Sequence, residues 1–84
     1  MQNRLYVGNL AMDVAASSLQ ELFEPYGFVM DVSLPSKTEA GSRRAAFVTM
    51  ATDESARAAI GALNGAALHG VAITVKVAHE EGAQ

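Results

Sequence analysis

The 84-residue chain contains no cysteine and no tryptophan, and it has only two prolines. Without cysteine the chain has neither disulfide bonds nor thiolate metal ligands, so its stability must come from packing. No apolar run reaches the roughly 20 residues that a membrane-spanning helix needs, and the N-terminus lacks a basic segment followed by an apolar one. These absences predict a soluble protein of the cytoplasm that makes no contact with a membrane.

Positive charge is also scarce, because six Lys and Arg residues stand against nine Asp and Glu residues and leave a net charge of −3. This balance argues against binding to nucleic acid by bulk electrostatic attraction. Several acidic residues, however, fall in segments with helical patterns or near the C-terminus, whereas Arg4, Arg43, Arg44 and Lys76 fall in or beside segments with strand patterns. The sequence therefore predicts that the two signs of charge lie on opposite sides of the fold.

Hydrophobic residues make up 50% of the chain, which is enough to form a core and excludes the low hydrophobicity of a disordered protein. The length corresponds to one small domain, since domains commonly have about 100–150 residues and no linker is visible. We place the domain at residues 1–79 and a short acidic tail at residues 80–84. We expect the domain to fold on its own as a monomer.

The apolar residues follow two different periods along the chain. Alternation over two residues predicts four strands, at residues 4–8, 29–34, 43–50 and 71–77. Helical spacing predicts two apolar stripes, formed by Leu19, Leu22, Phe23 and Tyr26 and by Ala56, Ala59, Ile60 and Leu63. The first helix is expected from about residue 15 to 25, with Asp13 or Ser17 as its N-cap. The second is expected to begin at an N-cap formed by Thr52 or Asp53 and to end at Asn64-Gly65.

The order of these elements is strand, helix, strand, strand, helix, strand. It predicts an α+β fold of the ferredoxin-like βαββαβ type, in which a four-stranded antiparallel sheet carries two helices on one face. The other face of the sheet is then open to water. Alternation places eight residues on that face: Arg4, Tyr6, Arg43, Ala45, Phe47, Thr49, Thr74 and Lys76. Aromatic rings beside cations are typical of a surface that stacks bases and neutralises phosphates of single-stranded nucleic acid.

Two segments of the chain resemble the signatures of the RNA recognition motif family. Residues 5–10, LYVGNL, are similar to its hexamer throughout, and residues 43–50, RRAAFVTM, are similar to its octamer. The octamer departs from the family pattern at Arg44, which replaces glycine, and at Ala45 and Met50, which replace aromatic residues. The short single-domain form resembles bacterial members of the family. The resemblance continues through residues 19–29 and 59–75.

The resemblance implies non-catalytic binding of single-stranded RNA and a role in post-transcriptional regulation, with single-stranded DNA as a second candidate ligand. Tyr6 and Phe47 match the two family aromatics that stack on bases, and Ala45 stands in place of a third. A stacked ring contributes about 1–3 kcal/mol per base, and this chain lacks the third ring. We therefore expect roughly micromolar affinity or poorer. The candidate RNA-binding residues are Tyr6, Phe47, Arg43, Lys76, Arg4, Ala45 and Thr74.

Two other functions fit part of the sequence. A degenerate member of the family that binds protein would account for the acidic charge and for Ala45, and Phe28 is either a partner contact or a ring folded over a loop. Acyl phosphate hydrolases share the order of elements, but residues 9–17 hold no arginine and no glycine cluster, and no nucleophile and base stand out as a pair. His69 and His79 lack a second ligand at metal spacing. We predict no metal, no cofactor and no enzymatic activity.

Overall fold

A computed structural model describes residues 3–11, 13–34 and 44–78 of the chain. The helices are α1 (Ala16–Phe23) and α2 (Asp53–Leu63), and a 3₁₀ turn at Glu24–Tyr26 directly follows α1. The strands are β1 (Arg4–Leu10), β2 (Val29–Ser33), β3 (Arg44–Met50), β4 (Ala67–Leu68), β5 (Val71–Ala72) and β6 (Thr74–Val77). Met12, the predicted site residue Arg43, His79 and the predicted acidic tail lie outside the described residues.

The main sheet has four antiparallel strands in the order β2-β3-β1-β6. In the two central strands, Tyr6 lies opposite Phe47 and Val7 lies opposite Ala46. On the other side of β1, Tyr6 lies opposite Lys76. The two helices cover one side of this sheet, which confirms the predicted ferredoxin-like α+β fold. Neither described helix has the length and apolar character needed to cross a membrane.

The hydrophobic core lies between the sheet and the helices. Its sheet side includes the inward residues that alternation predicted, Leu5, Val7, Val29, Ala46, Val48, Met50 and Val75, and its helix side includes Leu19, Phe23, Ala56, Ala59 and Leu63. Full burial of an aliphatic or aromatic side chain contributes about 1.5–3 kcal/mol. Core packing therefore fixes which side of each strand faces the helices, and with it which side chains remain on the opposite face.

The prediction of a single last strand over residues 71–77 is wrong in its first part. Val71 and Ala72 pair with Leu68 and Ala67 in a separate two-stranded hairpin. Ile73 between the hairpin and β6 is buried, but its backbone bonds to the segment after α2, donating to the Ala66 carbonyl and accepting from the Gly65 amide. The period-two pattern runs through both strands because Ile73 still faces the core.

The two helices begin in different ways. The Thr52 hydroxyl accepts a hydrogen bond of 3.0 Å from the Ser55 amide at the start of α2, as predicted. The predicted caps of α1 are wrong, because Ala15 occupies the N-cap position and no side chain caps this helix. Asp13 instead approaches His69 in the β4–β5 turn, with 2.9 Å between the carboxylate oxygen and the ring Nδ1. This contact joins the loop before α1 to the hairpin.

Candidate nucleic-acid interface

The face of the sheet away from the helices, called the open face below, carries the side chains that alternation placed there. On β1, Arg4 is exposed and Tyr6 is half-buried, and on β6 Lys76 is exposed. The remaining predicted members in the described residues are Ala45, Phe47, Thr49 and Thr74, all half-buried or exposed. The structure thus brings together every predicted site residue that it describes.

Tyr6 and Phe47 lie side by side at the centre of the open face. They are register partners on neighbouring strands, their ring centroids are 5.9 Å apart, and their planes cross at 65° in an edge-to-face arrangement. Pairs of this kind contribute about 0.5–1.5 kcal/mol beyond the area they bury. The two rings therefore hold each other in place while each remains partly accessible to a ligand.

Gly8 determines how the Tyr6 ring lies on the strand. A β-carbon added at Gly8 would meet Cε2 of Tyr6 at 2.6 Å and its hydroxyl oxygen at 2.7 Å. The outer edge of the ring consequently occupies the space above Gly8, two residues further along β1. Any larger residue at this position would push the ring away, so glycine allows Tyr6 to lie low on the sheet.

Each ring is accompanied by a cation. The guanidinium carbon of Arg4 lies 4.5 Å from the centroid of Phe47, and Nζ of Lys76 lies 5.3 Å from the centroid of Tyr6. Such contacts contribute about 0.5–1 kcal/mol at exposed sites, which is less than the roughly 1–3 kcal/mol of a base stacked on an aromatic ring. A base has enough stacking energy to displace either cation, which is then free to approach a phosphate.

The register aligns the central side chains in one row across the whole sheet. This ring row runs from Lys76 on β6 through Tyr6 and Phe47 to Ser33 on β2. An open depression of about 260 Å³ lies beside its β6 end, lined by Tyr6, Phe47, Lys76, Val77 and Ala78. The arrangement offers two aromatic surfaces in succession with a cation at one end.

Sequence reasoning missed two residues of the open face, Asp31 and Ser33. Asp31 lies opposite Thr49 and Ser33 lies opposite Phe47, and both therefore share the side of the sheet on which the rings lie. The inward position of Val32 was the available signal, since it sends its two neighbours outward. The expectation that carboxylates and cations occupy opposite sides of the fold is therefore wrong for Asp31, which shares the open face with Arg4 and Lys76.

Two large apolar side chains near the β2 edge are exposed, Phe28 at 72% and Met30 at 59%. Of the two alternatives for Phe28, the ring folded over a loop is therefore not observed. Met30 lies at a register shift between Val29 and Asp31, where β2 bulges relative to β3. Phe28 directly precedes β2 and Met30 is its second residue, and β2 is an edge strand of the sheet.

Outside the open face, the side chains of Asp13 and His69 lie within hydrogen-bonding distance of each other. Hydrogen bonding from His69 lowers the pKa of Asp13 from its ordinary value of 3.8. No group of three or more His, Cys, Asp or Glu residues able to hold a metal ion occurs among the described residues. The aromatic rings and cations of the open face are thus the candidate binding groups of the described surface.

Similar proteins were found by sequence and by structure. The spinach 28 kDa chloroplastic ribonucleoprotein is 45% identical over 78 residues, which are 92% of this chain and 34% of that protein. The putative RNA-binding protein RbpB of Nostoc sp. is 48% identical over 63 residues, covering 74% of this chain and 61% of that protein. The crystal structure of RNA binding protein PG1 superimposes with a TM-score of 0.82 at 35% identity, covering 93% of this chain and 95% of the other.

The chain spans less than two thirds of the length of these spinach and Nostoc relatives. Both plant organelle and bacterial proteins are among the relatives, so a bacterial source stays a prediction. The family model described as RNA recognition motif matches residues 5–74, which include the hexamer, both helices and the two rings of Tyr6 and Phe47. This match agrees with the prediction of a non-catalytic domain. By this match and by its fold, the chain belongs to the RNA recognition motif family.

Proposed function

We propose that the chain binds single-stranded RNA on its open face, without catalysis, and acts in post-transcriptional regulation. The observation that carries this proposal is the pair of rings, Tyr6 and Phe47, placed 5.9 Å apart on the sheet face opposite the helices. Single-stranded RNA offers unstacked bases that such rings accept, whereas the bases of a duplex are already stacked on each other. The spinach and Nostoc relatives are named as a ribonucleoprotein and an RNA-binding protein, which supports the same ligand.

The residues of the open face have separate roles in this proposal. Tyr6 and Phe47 each stack on one base, and Lys76 and Arg4 leave the rings to bind phosphates when bases arrive. Arg43 supplies a third phosphate contact, and the Thr74 hydroxyl bonds to the backbone or to a base edge. Ala45 provides a flat position without a ring, so one contact is missing and affinity is roughly micromolar or poorer, because a stacked ring contributes about 1–3 kcal/mol.

Single-stranded DNA is a weaker ligand in this proposal. Stacking on Tyr6 and Phe47 is the same for both nucleic acids, since every base has an aromatic face. Only RNA has the 2′-hydroxyl that lets a protein distinguish the two. We propose that the domain works as a monomer, since one open face suffices to hold a short single strand. We propose the cytoplasm as its location.

Chemical-shift mapping by NMR tests the location of the site. The uniformly labelled chain is titrated with a pool of short single-stranded RNAs of random sequence. We expect the largest amide shifts in β1, β3 and β6, and small shifts in α1 and α2, because the helices lie on the far side of the sheet. Shifts confined to the helices would contradict binding on the open face.

A protein-binding role is the second candidate, and the exposure of Phe28 and Met30 favours it. Exposed large apolar side chains that cluster together often mark an interaction surface. The same titration separates the two functions, because a domain that binds only protein would show no shifts at any RNA concentration. In that case Phe28 and Met30 would become the first residues to test against partners.

A further inference from the structure

A carboxylate lies on the open face together with the cations. Asp31 on β2 lies opposite Thr49 on β3, and Thr49 lies opposite Arg4 on β1. These three residues form a second row, the charge row, next to the ring row. Neighbouring strands are about 4.7–4.9 Å apart, so the carboxylate and the guanidinium begin about 10 Å from each other with Thr49 between them.

The Phe47 ring borders this charge row. Arg4 is the register partner of Thr49, yet its guanidinium carbon lies 4.5 Å from the centroid of Phe47, so ring and row are in contact. On the other side, Asp31 is a diagonal neighbour of Phe47, because Ser33 is the residue directly opposite. Diagonal neighbours in a sheet are about 7–8 Å apart, within reach of long and aromatic side chains. A base stacked on Phe47 would therefore have Arg4 near one edge and Asp31 near another.

No hydrogen bond or ion pair joins the exposed side chain of Asp31 to another described residue. An ionised carboxylate only accepts hydrogen bonds, and it repels phosphate. On a face that binds RNA, it can approach the nucleotide favourably only through donor groups on a base. A nucleotide bound at the charge row would have its phosphate toward Arg4 and its base edge toward Asp31.

We propose that Asp31 reads the Watson–Crick edge of the base stacked on Phe47 and selects guanine at that position. This inference rests on the proposed RNA binding and adds a base preference to it. Guanine presents its ring N–H and its amino group side by side, which matches the two oxygens of a carboxylate. In adenine and cytosine the amino group is next to an acceptor nitrogen, and in uracil the single N–H lies between two carbonyl oxygens. Charge-assisted bonds of this kind are about twice as strong as neutral ones.

Selection from a random pool tests the preference. A pool of single-stranded RNA heptamers is selected on the wild-type chain and on Asp31→Asn, which keeps the shape of the side chain but replaces one acceptor with a donor. We expect the wild-type chain to enrich guanine at one position, and we expect Asp31→Asn to lower that preference about tenfold, the usual range for one bidentate contact to a base. Asp31→Ala, which removes both acceptors, should lose it as well and provides a second variant.

Glu54→Gln is the matched control, because Glu54 is an exposed carboxylate on α2 and its substitution changes the net charge by the same amount. It should leave the guanine preference unchanged. If Asp31→Asn instead binds all sequences more tightly by one common factor, Asp31 only repels phosphate and the inference fails while RNA binding stands. A wild-type pool without guanine enrichment would also overturn it. If no RNA is retained by any of the chains, the proposed function itself fails.

Discussion

Strand alternation places Tyr6 and Phe47 at the surface, and the buried neighbours on each strand keep them there. Val48 is buried and Phe47 beside it is half-buried, so a shift of one residue in β3 would exchange the core with the open face. The sequence therefore predicted correctly that Tyr6, Phe47 and their described neighbours share this face, but it missed Asp31 and Ser33. It did not predict that Arg4 contacts Phe47 or that Lys76 contacts Tyr6, because those contacts depend on the register between strands and on side-chain rotamers.

Replacement of one ring tests the stacking role. In Phe47→Ala we expect binding to single-stranded RNA to weaken by about 1–3 kcal/mol, the contribution of one stacked base. The variant should remain folded, because the ring lies on the solvent side of the sheet and leaves the core unchanged. Fluorescence anisotropy with a labelled RNA heptamer measures the affinity, and circular dichroism monitors the fold.

Phe28→Ala is the matched control for that experiment, since Phe28 is an exposed phenylalanine that directly precedes β2 and does not belong to the ring row. Its RNA affinity should equal that of the wild-type chain. An unfolded Phe47→Ala variant would show that the ring supports the core. Equal losses in the two variants would show that the RNA lies across the β2 corner instead of the ring row.

Ala45 permits the opposite experiment, in which a ring is added. Ala45→Phe restores the aromatic residue that the family has at this position, and a strand accepts a large ring on its solvent side. We expect tighter binding to single-stranded RNA, by up to the same 1–3 kcal/mol that one stacked base contributes. Isothermal titration calorimetry measures the change. A folded variant with unchanged affinity would argue that RNA does not pass along β3.

At the scale of whole elements, periodicity predicted the order of strands and helices but not where the last strand breaks. Alternation continues from Val71 to Val77, and it cannot show that the backbone of Ile73 bonds to the segment after α2. The bulge at Met30 is hidden for the same reason, since a bulge is a property of two paired strands. Patterns within one segment therefore predicted its type, whereas its pairing partners required the three-dimensional fold.

The contact between Asp13 and His69 links two elements and should depend on pH. Its hydrogen bond lowers the pKa of Asp13 below 3.8, so the folded state holds this proton less tightly than the unfolded state. Stabilisation by Asp13 is then present above about pH 4 and is lost as the pH falls through the lowered pKa. We expect the melting temperature of Asp13→Asn to lie below that of the wild-type chain at pH 6 and to converge with it as the pH falls through the lowered pKa of Asp13.

Differential scanning calorimetry between pH 2 and pH 7 measures this convergence. Ser17→Ala is a suitable control, because Ser17 is exposed in α1 and no side chain caps that helix. Its melting temperature should differ from the wild-type value by the same amount at every pH. A constant difference for Asp13→Asn would show that the carboxylate does not interact with His69 in solution.

At the scale of the whole molecule, a net charge of −3 coexists with cations on the open face. Glu21 on α1, Glu24 in the turn after α1 and Glu54 on α2 are exposed acidic residues on the helix side of the sheet. The net charge of the molecule therefore repels polyanions, and local contacts on the open face would have to hold an RNA ligand. This distribution predicts a modest salt dependence and a strong preference for ligands whose bases are free.

The salt dependence counts the phosphate contacts. For a single strand, each neutralised phosphate contributes about −0.7 to the slope of log affinity against log salt concentration. The three proposed cations Arg4, Arg43 and Lys76 therefore predict a slope of about −2. Lys76→Ala should reduce its magnitude by about 0.7, because one contact is removed. Anisotropy titrations between about 50 and 300 mM salt cover the range in which this slope is measurable.

Competition with double-stranded RNA completes the test, because a duplex has a higher density of charge and no free bases. If stacking on Tyr6 and Phe47 dominates, unlabelled duplex should displace a labelled single strand poorly even at low salt, where attraction to phosphates is strongest. A steeper slope together with effective competition would mean that cations beyond the open face hold the ligand. A slope near zero with intact binding would mean that the rings suffice without phosphate contacts. Only a slope near −2 with poor competition agrees with rings and cations acting together.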